Sequence, residues 1–157
     1  KILAFLFLSL LVITTADAQK KKPAAPIEPE FAQFWKEFKI AINKQDKPKI
    51  IEMTAFPFYI YNNLTQTTVV VKNAKEFENK KLEEYGSTVL MSIMGANDLI
   101  KQMKTLVKVT DLSGYAEFKF SKDAKVVIAD KEYCTLIFSM VNGKVKLVGV
   151  TWSPSDD

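Results

Sequence analysis

The feature that most constrains the fold is an Asn-Gly pair, Asn142-Gly143, set between two runs of alternating apolar residues. Such a pair is the strongest short-range signal of a β-hairpin, because both residues of its two-residue loop must take positive φ angles. With this pair as the loop, Phe138 should lie opposite Leu147 and Met140 opposite Val145 on one face. The sequence therefore predicts a C-terminal antiparallel hairpin with a defined register.

The same register, continued away from the turn, pairs two further sets of residues. It places Ile137 opposite Val148 and Thr135 opposite Val150, so the second face of the hairpin also becomes apolar. Strands that are apolar on both faces are covered on both sides by other parts of the chain. We therefore expect other elements to pack on both faces of the hairpin away from its turn.

An aromatic stripe predicts a first helix from Glu30 onward. Its apolar residues recur with the i, i+3, i+4, i+7 spacing of one helix face: Phe31, Phe34, Trp35, Phe38, Ala41 and Ile42. Pro29 suits a first turn, where the missing N–H costs nothing. Asp46 is a good N-cap for a short second helix that carries Pro48 in its own first turn. We expect these two helices to pack as an angled pair.

Two strands are predicted next. The segment 56–61 is too aromatic and β-branched for a helix, and Pro57 cannot donate a hydrogen bond within a central strand. This segment is therefore predicted to be an edge strand. Asn62-Asn63 indicates a turn, and Thr67–Val71 has the composition of a second strand.

A third helix is indicated by Asn73 followed by Glu76, which is a capping arrangement. The pattern predicts a helix that runs to about Tyr85 and stops at Gly86.

Residues 87–103 fit either a buried helix or a strand, with Asn97 or Asp98 as the cap of one more helical turn. The remainder of the chain alternates in the manner of strands. The predicted strands are Lys104–Thr110, Tyr115–Ser121, Val126–Ala129 and Glu132–Val141.

The N-terminus predicts export. Residues 1–18 have a basic start, a short apolar run and a small-residue exit ending in Ala18, which are the parts of a secretory signal peptide. The alternative, a membrane anchor or buried helix, fits less well because a spanning helix needs about 20 apolar residues. Residues 19–29 carry three prolines and are predicted to be a flexible tether, and residues 30–157 a single α+β domain. We expect a periplasmic or secreted protein without stable membrane insertion after processing.

Composition excludes several kinds of chemistry. The chain has 22 basic residues, all of them Lys, and no His. Without His, neither Ser-His-Asp nor Cys-His catalysis is available within the chain, and a dedicated transition-metal site is not expected. Without Arg, specific recognition of nucleic acid loses its main side chain. The single Cys134 is expected to be a buried, inert thiol, and no cofactor is predicted.

The order of elements resembles the nuclear transport factor 2-like, or cystatin-like, superfamily of cone-shaped α+β domains. The resemblance rests on Phe31-x-x-Phe34-Trp35-x-x-Phe38, on Asp46-x-x-x-Ile50-x-x-Met53, on Phe56-Pro57-Phe58 and on the final strand that ends in Trp152. It extends over residues 30–153 and is similar to small exported bacterial members whose function is uncharacterised.

The resemblance implies N-terminal helices packed on a curved, mostly antiparallel sheet, with the Asn-Gly hairpin at the C-terminus. It also implies a pocket between the helices and the concave face. The superfamily hosts isomerases, dehydratases, binding modules and scaffolds, so the fold does not select a function.

Seven aromatic residues could line a ligand site in such a cone, although rings at these spacings also suit a plain core. They are Trp35, Phe38, Phe58, Tyr61, Tyr115, Tyr133 and Trp152. In a chain without His, proton transfer would fall to carboxylates, Tyr or Lys. The carboxylates on or near predicted strands are Asp111, Glu117, Asp130 and Glu132.

Three hypotheses follow. The first is a non-enzymatic exported domain that binds a small apolar ligand or a protein partner in or around the cone. The second is an isomerase- or dehydratase-type enzyme with a buried carboxylate base. The third is a partner-dependent envelope factor that forms a homodimer through the outer face of the sheet.

Overall fold

The computed structural model describes residues 26–82, 86–131 and 134–153. The predicted signal peptide and residues 19–25 of the predicted tether lie outside these ranges. Five α-helices and six strands are present in the described part of the chain. In order they are α1 (Pro29–Asn43), α2 (Lys47–Glu52), β1 (Thr54–Asn62), β2 (Thr67–Val71), α3 (Ala74–Asn79), α4 (Val89–Gly95), α5 (Asn97–Gln102), β3 (Leu106–Val109), β4 (Val126–Lys131), β5 (Cys134–Val141) and β6 (Lys144–Trp152).

The strands form one six-stranded sheet in the order β2-β1-β6-β5-β4-β3. Only the β1–β6 pair is parallel, and the other four pairs are antiparallel. The main hydrophobic core lies between the helices and the inner face of this sheet, while a smaller apolar cluster lies on the outer face. This arrangement confirms the predicted α+β class, with helices packed on a curved, mostly antiparallel sheet.

Helix α1 confirms the aromatic stripe. All six predicted apolar residues of its inner face are buried. The Phe34 and Trp35 rings each lie 5.5 Å from the Phe138 ring on β5, and the Phe38 ring lies 6.0 Å from it, measured between centroids. A single phenylalanine of the sheet is therefore surrounded by three rings of α1, and this packing seats the helix across the sheet.

Helix α2 follows as predicted. The Asp46 carboxylate accepts a hydrogen bond from the Lys49 backbone N–H at 3.1 Å, so Asp46 is the N-cap. Ile50 is fully buried on the inner side. The Thr54 hydroxyl donates to the Ile50 carbonyl at 2.8 Å, which ties the end of α2 to the first residue of β1.

The prediction of an edge strand at Phe56–Tyr61 is wrong, because β1 lies between β2 and β6. Pro57 is tolerated there because it falls in a gap in the pairing. The β1–β6 register shifts between Thr54 and Tyr59, and pairing with β2 begins only at Phe58. The N–H that proline lacks is therefore not required by either neighbour.

The C-terminal hairpin has the predicted loop, with φ angles of 50° at Asn142 and 73° at Gly143. Phe138 pairs with Leu147 and Met140 with Val145, as expected.

The continued register is wrong, because a β-bulge intervenes. Ile137 pairs with Gly149 and Thr135 with Thr151, which leaves Val148 as the extra residue. Val148 and Ile137 both belong to the outer apolar cluster. The bulge thus places an additional buried side chain on the outer face.

The predicted strand over Tyr115–Ser121 is also wrong. Residues Ser113–Phe118 form a 3₁₀ helix, and Lys119 follows with a φ of 52°. The place beside β4 that such a strand could take is occupied by β3, the strand predicted within Lys104–Thr110. The alternation of aromatic and polar residues in this segment has another cause. The Phe118 ring is 3% exposed and stacks on the Phe120 ring with 5.8 Å between their centroids, so these aromatic residues pack the segment onto the sheet.

Helix α3 is shorter than predicted. Its start is confirmed, because the Asn73 side chain accepts from the Glu76 N–H at 3.0 Å and Glu76 accepts from the Lys72 N–H at 2.9 Å. The helix ends at Asn79, and the chain is then extended, with Lys81 paired to Thr88 in an isolated bridge.

Gly86 has a φ of 61° in the turn of this bridge, rather than at a helix end. The range 87–103, which the sequence left open between helix and strand, is helical and contains α4 and α5. The Thr88 hydroxyl caps α4 by accepting from the Met91 N–H. Asn97 is the first residue of α5 and does not cap it, because the N-cap position is Ala96.

Candidate functional site

The inner face of the sheet and helices α4 and α5 enclose a small cavity, here called the inner cavity. Its volume is ≈ 40 Å³, equivalent to roughly three waters. The wall is apolar apart from one hydroxyl and one thiol. It comprises Ile60, Leu82, Val89, Ser92, Ile93, Ala96, Ile100, Cys134, Leu136, Val150 and Trp152.

A larger groove, here called the mouth groove, adjoins the inner cavity. It measures ≈ 390 Å³ and lies between β2 and the extended segment that follows α3. Ile60, Leu82 and Trp152 line both spaces, so these three side chains form the boundary between them. The remaining lining of the mouth groove is more polar: Asn62, Thr67, Thr68, Val69, Val70, Lys80 and Lys81.

Trp152 is held at this boundary by the sheet. It is the last residue of β6, and it pairs with Asn62 of β1 on one side and Cys134 of β5 on the other. Its carbonyl also accepts a hydrogen bond from the Asn63 N–H at 2.8 Å. These backbone contacts hold Trp152 in a position where its indole ring contacts both the inner cavity and the mouth groove.

The thiol of Cys134 faces the inner cavity and is poorly suited to nucleophilic chemistry. The residue is 2% exposed. Burial, and secondarily the negative charge of Asp130, raise the pKa of the thiol to about 12. The thiol therefore stays protonated near neutral pH and contributes an apolar surface to the wall.

The structure separates the seven predicted ring residues into groups. Trp35, Phe38 and Phe58 are buried in the main core and do not line the inner cavity. Tyr61 and Tyr115 pack in the cluster on the outer face. Trp152 alone among the six described rings lines the inner cavity, and Tyr133 lies outside the described residues.

Most of the wall was missed by the ring-based prediction. Four residues of the wall, Val89, Ser92, Ile93 and Ala96, come from α4 and the residue after it. Their i, i+3, i+4, i+7 spacing is that of one helix face, so a periodicity count over 87–103 could have identified this wall. The prediction considered only aromatic side chains, and three of these, Trp35, Phe38 and Phe58, lie in the main core.

The candidate carboxylates lie away from the inner cavity. Asp111, Glu117 and Asp130 are exposed, and Glu132 lies outside the described residues. A hydrogen bond from the Ser113 N–H lowers the pKa of Asp111. Asp130 accepts from the Thr135 hydroxyl at 2.6 Å on the outer side of the sheet. None of the described carboxylates lines the inner cavity.

The outer face of the sheet carries the 3₁₀ helix and the loop that follows it. Phe118 packs there on Tyr59, with 6.0 Å between ring centroids. A shallow groove of ≈ 510 Å³ remains between the loop and the start of β1. A homodimer through this face, the third hypothesis, would have to form around the segment that covers it.

Two further surveys concern the described residues only. None of the helices there is long and apolar enough to cross a bilayer. No group of three or more Cys, Asp or Glu side chains in those ranges is arranged to hold a metal ion.

Solved structures similar to this chain include cystatin-like and nuclear transport factor 2-like proteins. This chain is similar to a cystatin-like protein of unknown function from Nostoc punctiforme, with 10% identity over 80% of this chain and 90% of that one and a TM-score of 0.42. It is also similar to a nuclear transport factor 2-like protein of unknown function from Shewanella oneidensis, with 11% identity, 80% and 97% coverage and a TM-score of 0.39.

A third similar structure is a candidate ketosteroid isomerase from Shewanella frigidimarina, with 17% identity, 77% and 92% coverage and a TM-score of 0.35. No protein-family model matches the sequence, and no curated protein matches it either. At these identities and TM-scores the similarity gives no residue of this chain a role.

Proposed function

We propose that this protein is a non-enzymatic domain that binds a small apolar ligand through the inner cavity. The observation that carries the proposal is an apolar cavity that adjoins a larger groove, with Ile60, Leu82 and Trp152 lining both spaces. A ligand could bury a short apolar end in the cavity and lay the rest of its length in the groove. Each buried CH₂ group contributes about 0.8 kcal/mol to binding.

The rival isomerase hypothesis requires a base aimed at the bound molecule. The described carboxylates Asp111, Glu117 and Asp130 are exposed and lie away from the cavity wall. The Cys134 thiol is protonated near neutral pH. Within the described residues, the cavity thus offers apolar contact without a proton acceptor, and this favours binding over catalysis.

Trp152 supplies a direct test. In a Trp35→Phe background Trp152 is the only tryptophan of the chain, and its emission can be followed during titration with decanol. We expect saturable binding with a blue shift, because an apolar chain excludes water from the indole. Decanol is uncharged, so this test concerns apolar binding alone.

A cavity-filling variant locates the site. Ala96→Leu adds three carbon atoms to the wall of a cavity equivalent to only about three waters, and it should weaken decanol binding at least tenfold. Ala32→Leu makes the same change on the exposed face of α1 and should leave binding unchanged. Equal binding by both variants, or no binding by the parent protein, would contradict the proposal.

A further inference from the structure

The charged residues described in the lining of the mouth groove are all basic. Among its described lining residues, the ionisable ones are Lys80 and Lys81, and none is acidic. The adjoining inner cavity is apolar. The two adjoining spaces therefore differ in chemistry: one suits hydrocarbon, and the other presents two ammonium groups beside the hydroxyls of Thr67 and Thr68.

The two lysines are held close to the cavity by backbone hydrogen bonds. The Val89 N–H donates to the Lys80 carbonyl at 3.3 Å, and the Leu82 N–H donates to the Ser87 carbonyl at 2.9 Å. Lys81 itself pairs with Thr88. These contacts join the lysine segment to the start of α4, the helix that contributes most to the cavity wall.

The ammonium group of Lys80 is also held in place by a hydrogen bond to β2. Its Nζ donates to the Val70 carbonyl on β2 at 3.2 Å, across the width of the mouth groove. An ammonium has three donors, so two remain available to a ligand. Lys80 can therefore contact an acceptor in the groove while keeping its contact with the strand.

We infer that the ligand is an amphipathic carboxylate, with its apolar tail in the inner cavity and its head beside Lys80 and Lys81. This inference rests on the proposed function and adds the charge of the ligand to it. A lysine ammonium acts as a point charge, so the two lysines attract an anionic head without needing the two parallel bonds that an Arg would give. A singly charged head on a hydrocarbon chain matches both spaces.

The test compares two probes with the same carbon chain. Decanoate and decanol are titrated against the Trp35→Phe protein at low salt, with Trp152 emission as the signal. We expect decanoate to bind about fivefold to tenfold more tightly than decanol, as two solvent-accessible charge contacts would give. The advantage should shrink as salt is added, because exposed charges are screened. A cationic analogue, decyltrimethylammonium, should bind more weakly than decanol.

Matched charge variants then locate the effect. The double variant Lys80→Gln with Lys81→Gln should lose the preference for decanoate over decanol. The control, Lys72→Gln with Lys75→Gln, removes the same net charge from exposed positions at the start of α3 that do not line the groove. It should keep the preference for decanoate.

The outcomes separate the inference from the proposed function. If decanol binds and decanoate has no advantage, or if both double variants lose the advantage equally, the assignment of a carboxylate head is overturned while apolar binding stands. If neither probe binds, both proposals fail.

Discussion

The backbone of β6 at Gly149 leaves no room for a side chain, and substitution there should be costly. Gly149 lies opposite Ile137, beside the bulge of β6. A Cβ atom at this position would lie 2.6 Å from the Tyr59 carbonyl oxygen and 2.8 Å from Cδ1 of Phe118, and closer still to Cε1 of that ring. Real Cβ atoms essentially never approach other heavy atoms so closely.

The loss of stability depends on whether the Phe118 ring and the Tyr59 carbonyl can move away from the added methyl group. The Phe118 ring is 3% exposed and packed against Tyr59 and Phe120, so it cannot rotate away freely. The Tyr59 carbonyl belongs to a paired strand in the interior of the sheet. We expect Gly149→Ala to lower the free energy of unfolding by about 3 kcal/mol, at the upper end of the range for overpacking a core.

The assay is urea unfolding followed by circular dichroism, with the midpoint and the slope both fitted. Gly95→Ala is the matched control, because a Cβ there meets no heavy atom within 4 Å and the position is helical. It should be neutral or stabilising by up to about 1 kcal/mol. A Gly149→Ala protein within about 0.5 kcal/mol of the parent, the spread typical of surface substitutions, would refute the close approach of β6, β1 and Phe118.

Three other predictions can be tested with similar measurements. Trp35→Ala should lower the free energy of unfolding by about 3–5 kcal/mol but leave decanol binding to Trp152 intact at temperatures where the variant is folded. Lost binding with unchanged stability would instead make Trp35 a ligand contact. The pKa of Glu28 is lowered chiefly by its hydrogen bond from Lys108 at 2.9 Å, so its contribution to stability is present above the unfolded-state pKa and is lost as the pH falls through the folded-state value. Glu28→Gln should therefore reduce the loss of stability on acidification, and an unchanged pH profile would contradict this. Finally, we predict that the exported protein begins at Gln19, and N-terminal mass analysis that finds residues 1–18 retained on the released protein would refute it.

Only part of the candidate site could be predicted from the sequence. Of the predicted ring set, Trp152 lines the inner cavity, whereas Trp35 and Phe38 lie in the main core. Apolar periodicity identifies the buried face of a helix, yet it does not say whether that face meets packed side chains or a cavity. Lys80 and Lys81 gave no signal, because an exposed lysine pair in a sequence does not reveal the groove beside it.

Short-range patterns determined the elements whose causes are local. The aromatic stripe of α1, the Asp46 cap and the Asn142-Gly143 loop each depend on residues within a few positions of one another, so the sequence alone predicted them. The resemblance to the nuclear transport factor 2-like superfamily rests on the same local features placed in order.

Only the tertiary structure decided the features that depend on distant neighbours. Pro57 is accommodated inside the sheet because the register between β1 and β6 shifts beside it. Val148 is the extra residue of the bulge, next to Gly149, where the ring of Phe118 from thirty positions earlier in the chain lies close. Residues 113–118 form a 3₁₀ helix, while β3 occupies the place beside β4. A strand's partners, and the space left between layers, are set by contacts between segments far apart in sequence, and no local pattern encodes them.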